Sequence, residues 1–216
     1  MSRTAAGSGR KNHVREDHLG ASTYIEKGWH LIAQGEYAGA EIALGTALDL
    51  APSDLRAQSL VGWAIMRQGR YDEALRILEG VLAVDPGNGM ARANLGYVYI
   101  KIGFVREAES TLRRAMLHPH DLKAALYGNF YLGLLRSSLG DTTGARDFFE
   151  KSIGLGPNFI EAYYELGRAY WSEGNEAEAD RVWREGNSAN RLSPWGRRCA
   201  EAMRLVRADQ EPHGFS

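Results

Sequence analysis

The sequence lacks the features that mark several large classes of protein. It contains a single cysteine, Cys199, in 216 residues, so no disulfide can form within the chain. It has no run of about 18 apolar residues that could cross a membrane as a helix. Residues 1–11 also lack the apolar stretch of a secretory signal. We therefore expect a cytoplasmic protein without an integral membrane segment.

An excess of charge of one sign is also absent. The 26 Lys and Arg residues nearly balance the 27 Asp and Glu residues, and the formal net charge is −1. Because no overall field would attract a polyanion, we do not expect nucleic acid to be a partner. With 44% hydrophobic residues, the chain can nevertheless bury a continuous core.

Catalytic and metal-binding patterns are missing as well. The sequence has no glycine-rich phosphate loop, nucleophile elbow or H-E-x-x-H motif. His118 and His120 lie beside Asp121, but two histidines without a third fixed ligand do not make a metal site. Cys199 falls on an apolar stripe, where packing is its expected role. The sequence therefore predicts no enzymatic activity, no cofactor and no metal site.

What the sequence does contain is three series of small residues with one common spacing. In each series the successive members are 34, 34, 37 and 34 residues apart. The first series is Gly28, Gly62, Gly96, Gly133 and Gly167; the second is Gly35, Gly69, Gly103, Gly140 and Gly174; the third is Ala40, Ala74, Ala108, Ala145 and Ala179. Such agreement indicates five copies of one unit.

The unit resembles the tetratricopeptide repeat, which is 34 residues long and folds as two antiparallel helices. The fifth unit matches best, and its family places hold Tyr163, Leu166, Gly167, Tyr170, Gly174, Ala179 and Trp183. The resemblance implies an all-α, right-handed superhelical solenoid with five repeats over residues 21–193. The chain looks similar to bacterial adaptors and chaperones of this family.

The repeated small residues predict how each helix pair packs. We expect the first glycine to face the small alanine of the second helix, so that the two backbones approach to about 8 Å. The second glycine is expected to end the first helix in a left-handed conformation. The 37-residue step predicts a first helix nearly one turn longer in the fourth unit, beginning after Asp121 as its cap.

The two ends of the chain differ from the repeats. Residues 1–20 are small, polar and basic, and we expect a disordered tail. Residues 194–208 predict a capping helix that covers the fifth repeat with the apolar stripe Trp195, Cys199, Ala202, Met203 and Val206. Residues 209–216 are expected to be a frayed end.

In this family the first helices line a concave groove that commonly holds a peptide. The family's carboxylate clamp of lysine, asparagine and arginine is absent from the corresponding places, which carry residues such as Ile25 and Met90. We expect instead an aromatic and apolar groove, in which Trp29, Trp63 and Tyr97 form a row that faces solvent in the free protein. The full set of predicted peptide-binding residues is Trp29, Ile32, Trp63, Met66, Tyr97, Ile100, Tyr127, Phe130, Tyr131, Tyr164, Arg168 and Trp171.

These features predict a non-catalytic adaptor, assembly factor or chaperone that binds an apolar peptide segment of a protein client. One alternative is a self-assembling scaffold, a homo-oligomer in which another copy's terminal segment fills the groove. Two further possibilities are that the groove aromatics only pack in the core, and that the chain's own N-terminal tail fills the groove or touches an acidic surface.

Overall fold

A computed structural model describes residues 20–118 and 120–208, and the predicted tails 1–20 and 209–216 lie outside this range except for Gly20. The described residues form eleven α-helices and no strand, which confirms the all-α helical repeat. The helices are α1 (Ala21–Gln34), α2 (Tyr37–Leu50), α3 (Leu55–Arg67), α4 (Tyr71–Val84), α5 (Gly89–Lys101), α6 (Val105–Ala115), α7 (Leu122–Ser138), α8 (Thr142–Leu155), α9 (Ile160–Ser172), α10 (Glu176–Ala189) and α11 (Pro194–Arg207).

The first ten helices form five sequential pairs, each with a first and a second helix. Each first helix (α1, α3, α5, α7, α9) packs against its own second helix. Those from α1 to α7 also pack against the first helix of the next pair, and α9 packs against α11. Each second helix from α2 to α8 also packs against the first helix that follows it. The first helices therefore lie side by side, and the residues on their inner face are brought together.

Short polar residues begin three of the first helices. The side chains of Asp54, Asn88 and Asp121 each accept a hydrogen bond from the backbone N–H three residues later, at 2.9–3.0 Å. These bonds satisfy donors that have no partner inside the helix. The cap predicted at Asp121 is confirmed, and α7 has 17 residues where α5 has 13, so the predicted extra turn is present.

The turn inside every pair depends on the second glycine. Gly35, Gly69, Gly103, Gly140 and Gly174 have φ between 77° and 85°. This left-handed conformation is costly for a residue with a Cβ, and glycine adopts it without strain. All five predicted turns are therefore confirmed.

The first glycine has a different neighbour from the one that we expected. A Cβ added to Gly62 would lie 2.8 Å from Leu78 Cδ2, and one added to Gly133 would lie 2.5 Å from Phe149 Cε1. In all five pairs the atom nearest to the added Cβ belongs to the residue four places after the alanine of the third series. These residues are Leu44, Leu78, Leu112, Phe149 and Trp183. The predicted glycine–alanine contact is wrong, because helical side chains lean toward the N-terminus and the residue one turn later covers the glycine.

The helix α11 covers the end of the last pair. Ser193 caps it by accepting a hydrogen bond from Gly196 N, and Pro194 occupies its first turn. Cys199 is fully buried and packs with Trp183 and other apolar residues of α9 and α10. Burial raises the pKa of its thiol to about 12, so the thiol stays protonated at neutral pH.

The glycine contact predicts opposite effects for two glycine-to-alanine substitutions. In Gly96→Ala the new methyl group would lie 2.5 Å from Leu112 Cγ in the core, and we expect a loss of about 1–3 kcal/mol in the free energy of unfolding. The matched control is Gly80→Ala in α4, where no atom lies within 4 Å and the helix should gain roughly 0.5–1 kcal/mol. Chemical denaturation of both variants measures this. Equal effects from the two substitutions would contradict the assigned contact.

Candidate functional site

The inner face of the first helices encloses a cavity of about 520 Å³. We call it the central cavity. Its walls come from α1, α3, α5, α7 and the first residues of α2 and α4 on one side, and from the starts of α9 and α11 on the other. Eight aromatic residues line it: Trp29, Tyr37, Trp63, Tyr71, Tyr97, Tyr127, Phe159 and Trp195. Its volume is in the range of small-ligand sites, which are usually apolar with a few polar groups.

Half of the predicted peptide-binding residues line this cavity. They are Trp29, Ile32, Trp63, Met66, Tyr97 and Tyr127. Phe130 and Tyr131 instead lie in the core with no exposed surface, and Tyr164 is buried against the ring of Trp195. Ile100, Arg168 and Trp171 lie outside the cavity lining as well. The peptide-binding role of the twelve residues stays a prediction.

The aromatic rings form a continuous chain across the concave side. The ring centroids of Trp29 and Trp63 are 5.4 Å apart, those of Trp63 and Tyr127 are 4.9 Å apart, and those of Tyr127 and Phe159 are 5.1 Å apart. Trp63 and Tyr97 are each only 4% exposed. The expectation that this row faces solvent is therefore wrong for these two residues, because the ring of Trp63 packs against Tyr127 and that of Tyr97 packs against Tyr131, both of the fourth repeat.

A buried ion pair joins the second repeat to the fifth. Arg67 Nη1 lies 3.1 Å from Glu161 Oε1, and the two side chains are 11% and 6% exposed. Burial raises the pKa of the Glu161 carboxyl, and Arg67 only partly opposes this shift. For Arg67, burial is the largest single effect and disfavours the charged form, but Glu161 and the nearby tyrosines together outweigh it and the pKa is raised. Such a pair is costly to break, because one charge would remain buried without the other.

A second buried carboxyl lies one turn further along α9. Glu165 is 2% exposed and receives a hydrogen bond from Arg168 at 2.8 Å. Its other oxygen has no hydrogen-bond partner in the part of the chain that the structure describes. Burial raises the pKa of Glu165 to about 7, against the opposing effect of Arg168. No sequence pattern indicated this burial, because a glutamate on a repeat helix is usually exposed.

The sequence predicted that α9 reaches the groove through Tyr164, Arg168 and Trp171, but it did not predict the walls that the start of α9 and α11 contribute. It assigned α11 only to capping, yet Ser193, Trp195 and Arg198 line the cavity. It also assigned no role to Glu161, which occupies the place in the fifth repeat that Tyr127 occupies in the fourth, six residues before the first glycine. The charge of Glu161 at this inner place was visible in the sequence, but its burial against Arg67 was not.

Residues 20–118 and 120–208 hold neither a membrane-spanning helix nor a cluster of metal ligands. None of their helices has the length and apolar character that a membrane crossing requires. Within the same ranges, no three His, Cys, Asp or Glu side chains come together in a way that could hold a metal ion.

The raised pKa of Glu165 predicts a pH-dependent stability. The pKa of Glu165 in the folded protein lies above the ordinary value of 4.5. Between about pH 4.5 and 7 the folded protein therefore binds a proton that the unfolded chain has lost. The free energy of unfolding falls as the pH rises through that window. Glu165→Gln should remove this loss. It should stabilise the protein by on the order of 2 kcal/mol at pH 8 and by much less at pH 5.

The matched control is Glu161→Gln, one turn away on α9. This substitution removes the carboxylate that faces Arg67, so it should destabilise the protein at pH 8 by about 3 kcal/mol. Chemical denaturation at both pH values measures the two variants. If Glu165→Gln were as destabilising as Glu161→Gln at pH 8, the assignment of Glu165 as a carboxyl that is costly to ionise would be wrong.

Three family models match the chain, and each describes a tetratricopeptide repeat. They match residues 25–89, 66–129 and 160–189 and together cover more than half of the sequence. None of the three includes residues 130–159, which hold most of the longer fourth repeat. A comparison with curated protein sequences found no match.

Solved structures of repeat proteins are similar over most of the chain. TTC0263, a tetratricopeptide repeat protein of Thermus thermophilus, has 21% identity and a TM-score of 0.72, over 86% of this chain and 100% of its own. The PilF protein of Pseudomonas aeruginosa has 20% identity and a TM-score of 0.61, over 88% and 85%. A MamA protein has 26% identity and a TM-score of 0.51, over 76% and 94%.

The family models match the helix pairs that the glycine series define, and the similar structures share the same helical repeat. The protein is therefore a member of the tetratricopeptide repeat family.

Proposed function

We propose that this protein is a non-catalytic protein-binding module that holds a short apolar segment of a client protein in the central cavity. The observation that carries the proposal is the cavity itself, about 520 Å³ with eight aromatic residues in its lining. Tetratricopeptide repeats serve generally as scaffolds for protein–protein interaction. An adaptor, an assembly factor or a chaperone would each use such a site.

The packing of the rings changes the way in which a client would bind. A six-residue extended segment along Trp29, Trp63 and Tyr97 would need these rings to be free, whereas Trp63 and Tyr97 are buried by their neighbours. One or two apolar side chains that enter the central cavity fit the geometry better. Trp29 and Trp195 remain partly exposed and would provide its aromatic entrance.

Burial of an aromatic side chain in such a site supports useful affinity. Aromatic rings pack edge to face with centroids 4.5–7 Å apart, and the rings around the cavity already adopt this spacing. Because these rings are held by one another before binding, little ordering is required when a ligand enters. The binding energy should therefore be concentrated in one anchoring side chain of the client.

Self-assembly remains the second candidate, and the sequence of residues 209–216 favours it. This segment follows α11, whose start lines the cavity, and it contains Phe215 together with Asp209 and Glu211. The same segment of another copy could supply the apolar side chain. Sedimentation over a range of protein concentrations separates a stable monomer from such an assembly.

A substitution that fills the cavity tests the proposed function without removing core residues. Ala33 is an exposed residue of α1 that lines the cavity, and Ala33→Phe should occupy part of the space. Hexapeptides selected from a random display library on the natural protein should be rich in aromatic and large aliphatic residues. Their affinity, measured by fluorescence polarisation, should fall at least tenfold in Ala33→Phe.

The matched control places the same side chain on an outer helix. Ala83 is an exposed residue of α4 outside the cavity lining, so Ala83→Phe should leave peptide affinity within error. Thermal melting of both variants checks that they fold. If Ala33→Phe melts normally and still binds the peptides as tightly as Ala83→Phe does, the central cavity is not the binding site.

A further inference from the structure

The charged residues at the central cavity do not balance one another. Arg67 and Glu161 form an ion pair, so their charges cancel. Arg198 also lines the cavity, and its guanidinium carbon lies 4.6 Å from the ring centroid of Trp195. Within the described residues, Arg198 has no carboxylate within ion-pair distance. The lining therefore carries one excess positive charge.

A second cation lies over another ring of the cavity. Lys123 Nζ is 4.1 Å from the ring centroid of Trp29, and it too forms no ion pair with any residue in the described ranges. Lys123 belongs to the extra turn at the start of α7, ten residues before Gly133, whereas α5 begins only seven residues before Gly96. The insertion in the fourth repeat thus adds positive charge beside an aromatic wall.

We propose that the segment bound in the cavity carries a carboxylate next to its apolar side chain. This inference rests on the proposed function and specifies its ligand: the apolar side chain packs among the rings, and the carboxylate pairs with the guanidinium of Arg198. A planar guanidinium matches a carboxylate through two parallel hydrogen bonds. Lys123 adds attraction at the opposite wall, since it lies over Trp29 of α1.

The geometry of Arg198 suits a ligand contact. The side chain is exposed, so a carboxylate can reach it without first breaking a buried ion pair. Its stacking on Trp195 holds the guanidinium beside the apolar wall. A ligand that places an apolar and an acidic group on neighbouring residues would therefore use both features at once, whereas a basic ligand would be repelled.

The chain's own ends differ as occupants of this site. Residues 1–20 carry Arg3, Arg10, Lys11 and Arg15, and their positive charge opposes that of the cavity. Residues 209–216 contain Asp209, Glu211 and Phe215, but Glu211 is four residues from Phe215, so the acidic and apolar side chains are not neighbours as the proposal requires. We commit to a segment of a separate client protein and treat the C-terminal segment as the competing occupant.

Three synthetic hexapeptides on the full-length protein test the proposal. Each has a central phenylalanine in a glycine–serine background with blocked ends, followed by glutamate, glutamine or lysine. Titrations are followed through the tryptophan indole N–H signals of 15N-labelled protein. We expect the glutamate peptide to bind about tenfold more tightly than the glutamine peptide, and the lysine peptide to bind most weakly.

Adjacent arginines provide the matched variants. Arg198→Gln should abolish the preference for glutamate over glutamine while the phenylalanine still binds. Arg197→Gln should retain the preference, because Arg197 donates to Leu192 O and lies outside the cavity lining. The same preference should weaken as salt is raised to about 0.5 M, since an exposed ion pair is screened.

The outcomes separate this inference from the proposed function. Equal binding of the glutamate and glutamine peptides would refute the charge preference and leave the apolar site intact. No binding of any phenylalanine peptide, either to the folded natural protein or to a folded variant in which Asp209, Glu211 and Phe215 are replaced, would refute the proposed function itself. If the peptides bind only when Asp209, Glu211 and Phe215 are replaced by Asn, Gln and Ala, the occupant is the chain's own segment and a separate client is ruled out.

Discussion

Five close contacts between a glycine and a large side chain set the geometry on which the rest of the structure depends. In each helix pair the absence of a Cβ lets Leu, Phe or Trp from the second helix lie directly on the backbone of the first. These contacts lie in the core, and side chains such as Leu112 and Trp183 have no exposed surface. Because protein interiors are close-packed, even one added methyl group at such a contact would change the distance between the two helices of the pair. The five pairs then stack with their first helices side by side.

The stack curves enough for residues of distant repeats to meet on the concave side. Arg67 reaches Glu161 over a separation of 94 residues, and Lys123 lies over Trp29 three repeats away. The central cavity is the space that remains where α1 faces α9 and α11. Rings from different repeats pack against one another in its aromatic walls. The ion pair between Arg67 and Glu161 joins the second repeat to the fifth. Residues such as Trp63 and Tyr97 line the cavity and also pack between repeats, so little of their surface is exposed to a ligand.

Local features were predictable from the sequence, whereas contacts across the concave side were not. The turns at Gly35 and its equivalents and the cap at Asp121 depend on a few neighbouring residues, and each has a direct physical signature. The burial of Trp63 depends on how closely the fourth repeat approaches the second, which no local pattern encodes. The 37-residue spacing did indicate the longer α7, yet only the structure places Lys123 of that extra turn over Trp29. The buried carboxyls of Glu161 and Glu165 needed the partner helices to be known.

Photo-crosslinking tests most directly whether ligands enter the central cavity. A hexapeptide with benzoylphenylalanine at its apolar position and glutamate after it would be irradiated with the full-length protein, and the crosslinked residues would be identified by mass spectrometry. We expect crosslinks to residues that line the cavity, chiefly Trp29, Tyr37, Phe159 and Trp195. Crosslinks confined to exposed apolar residues at the ends of the second helices, such as Leu50 and Val84, would contradict it.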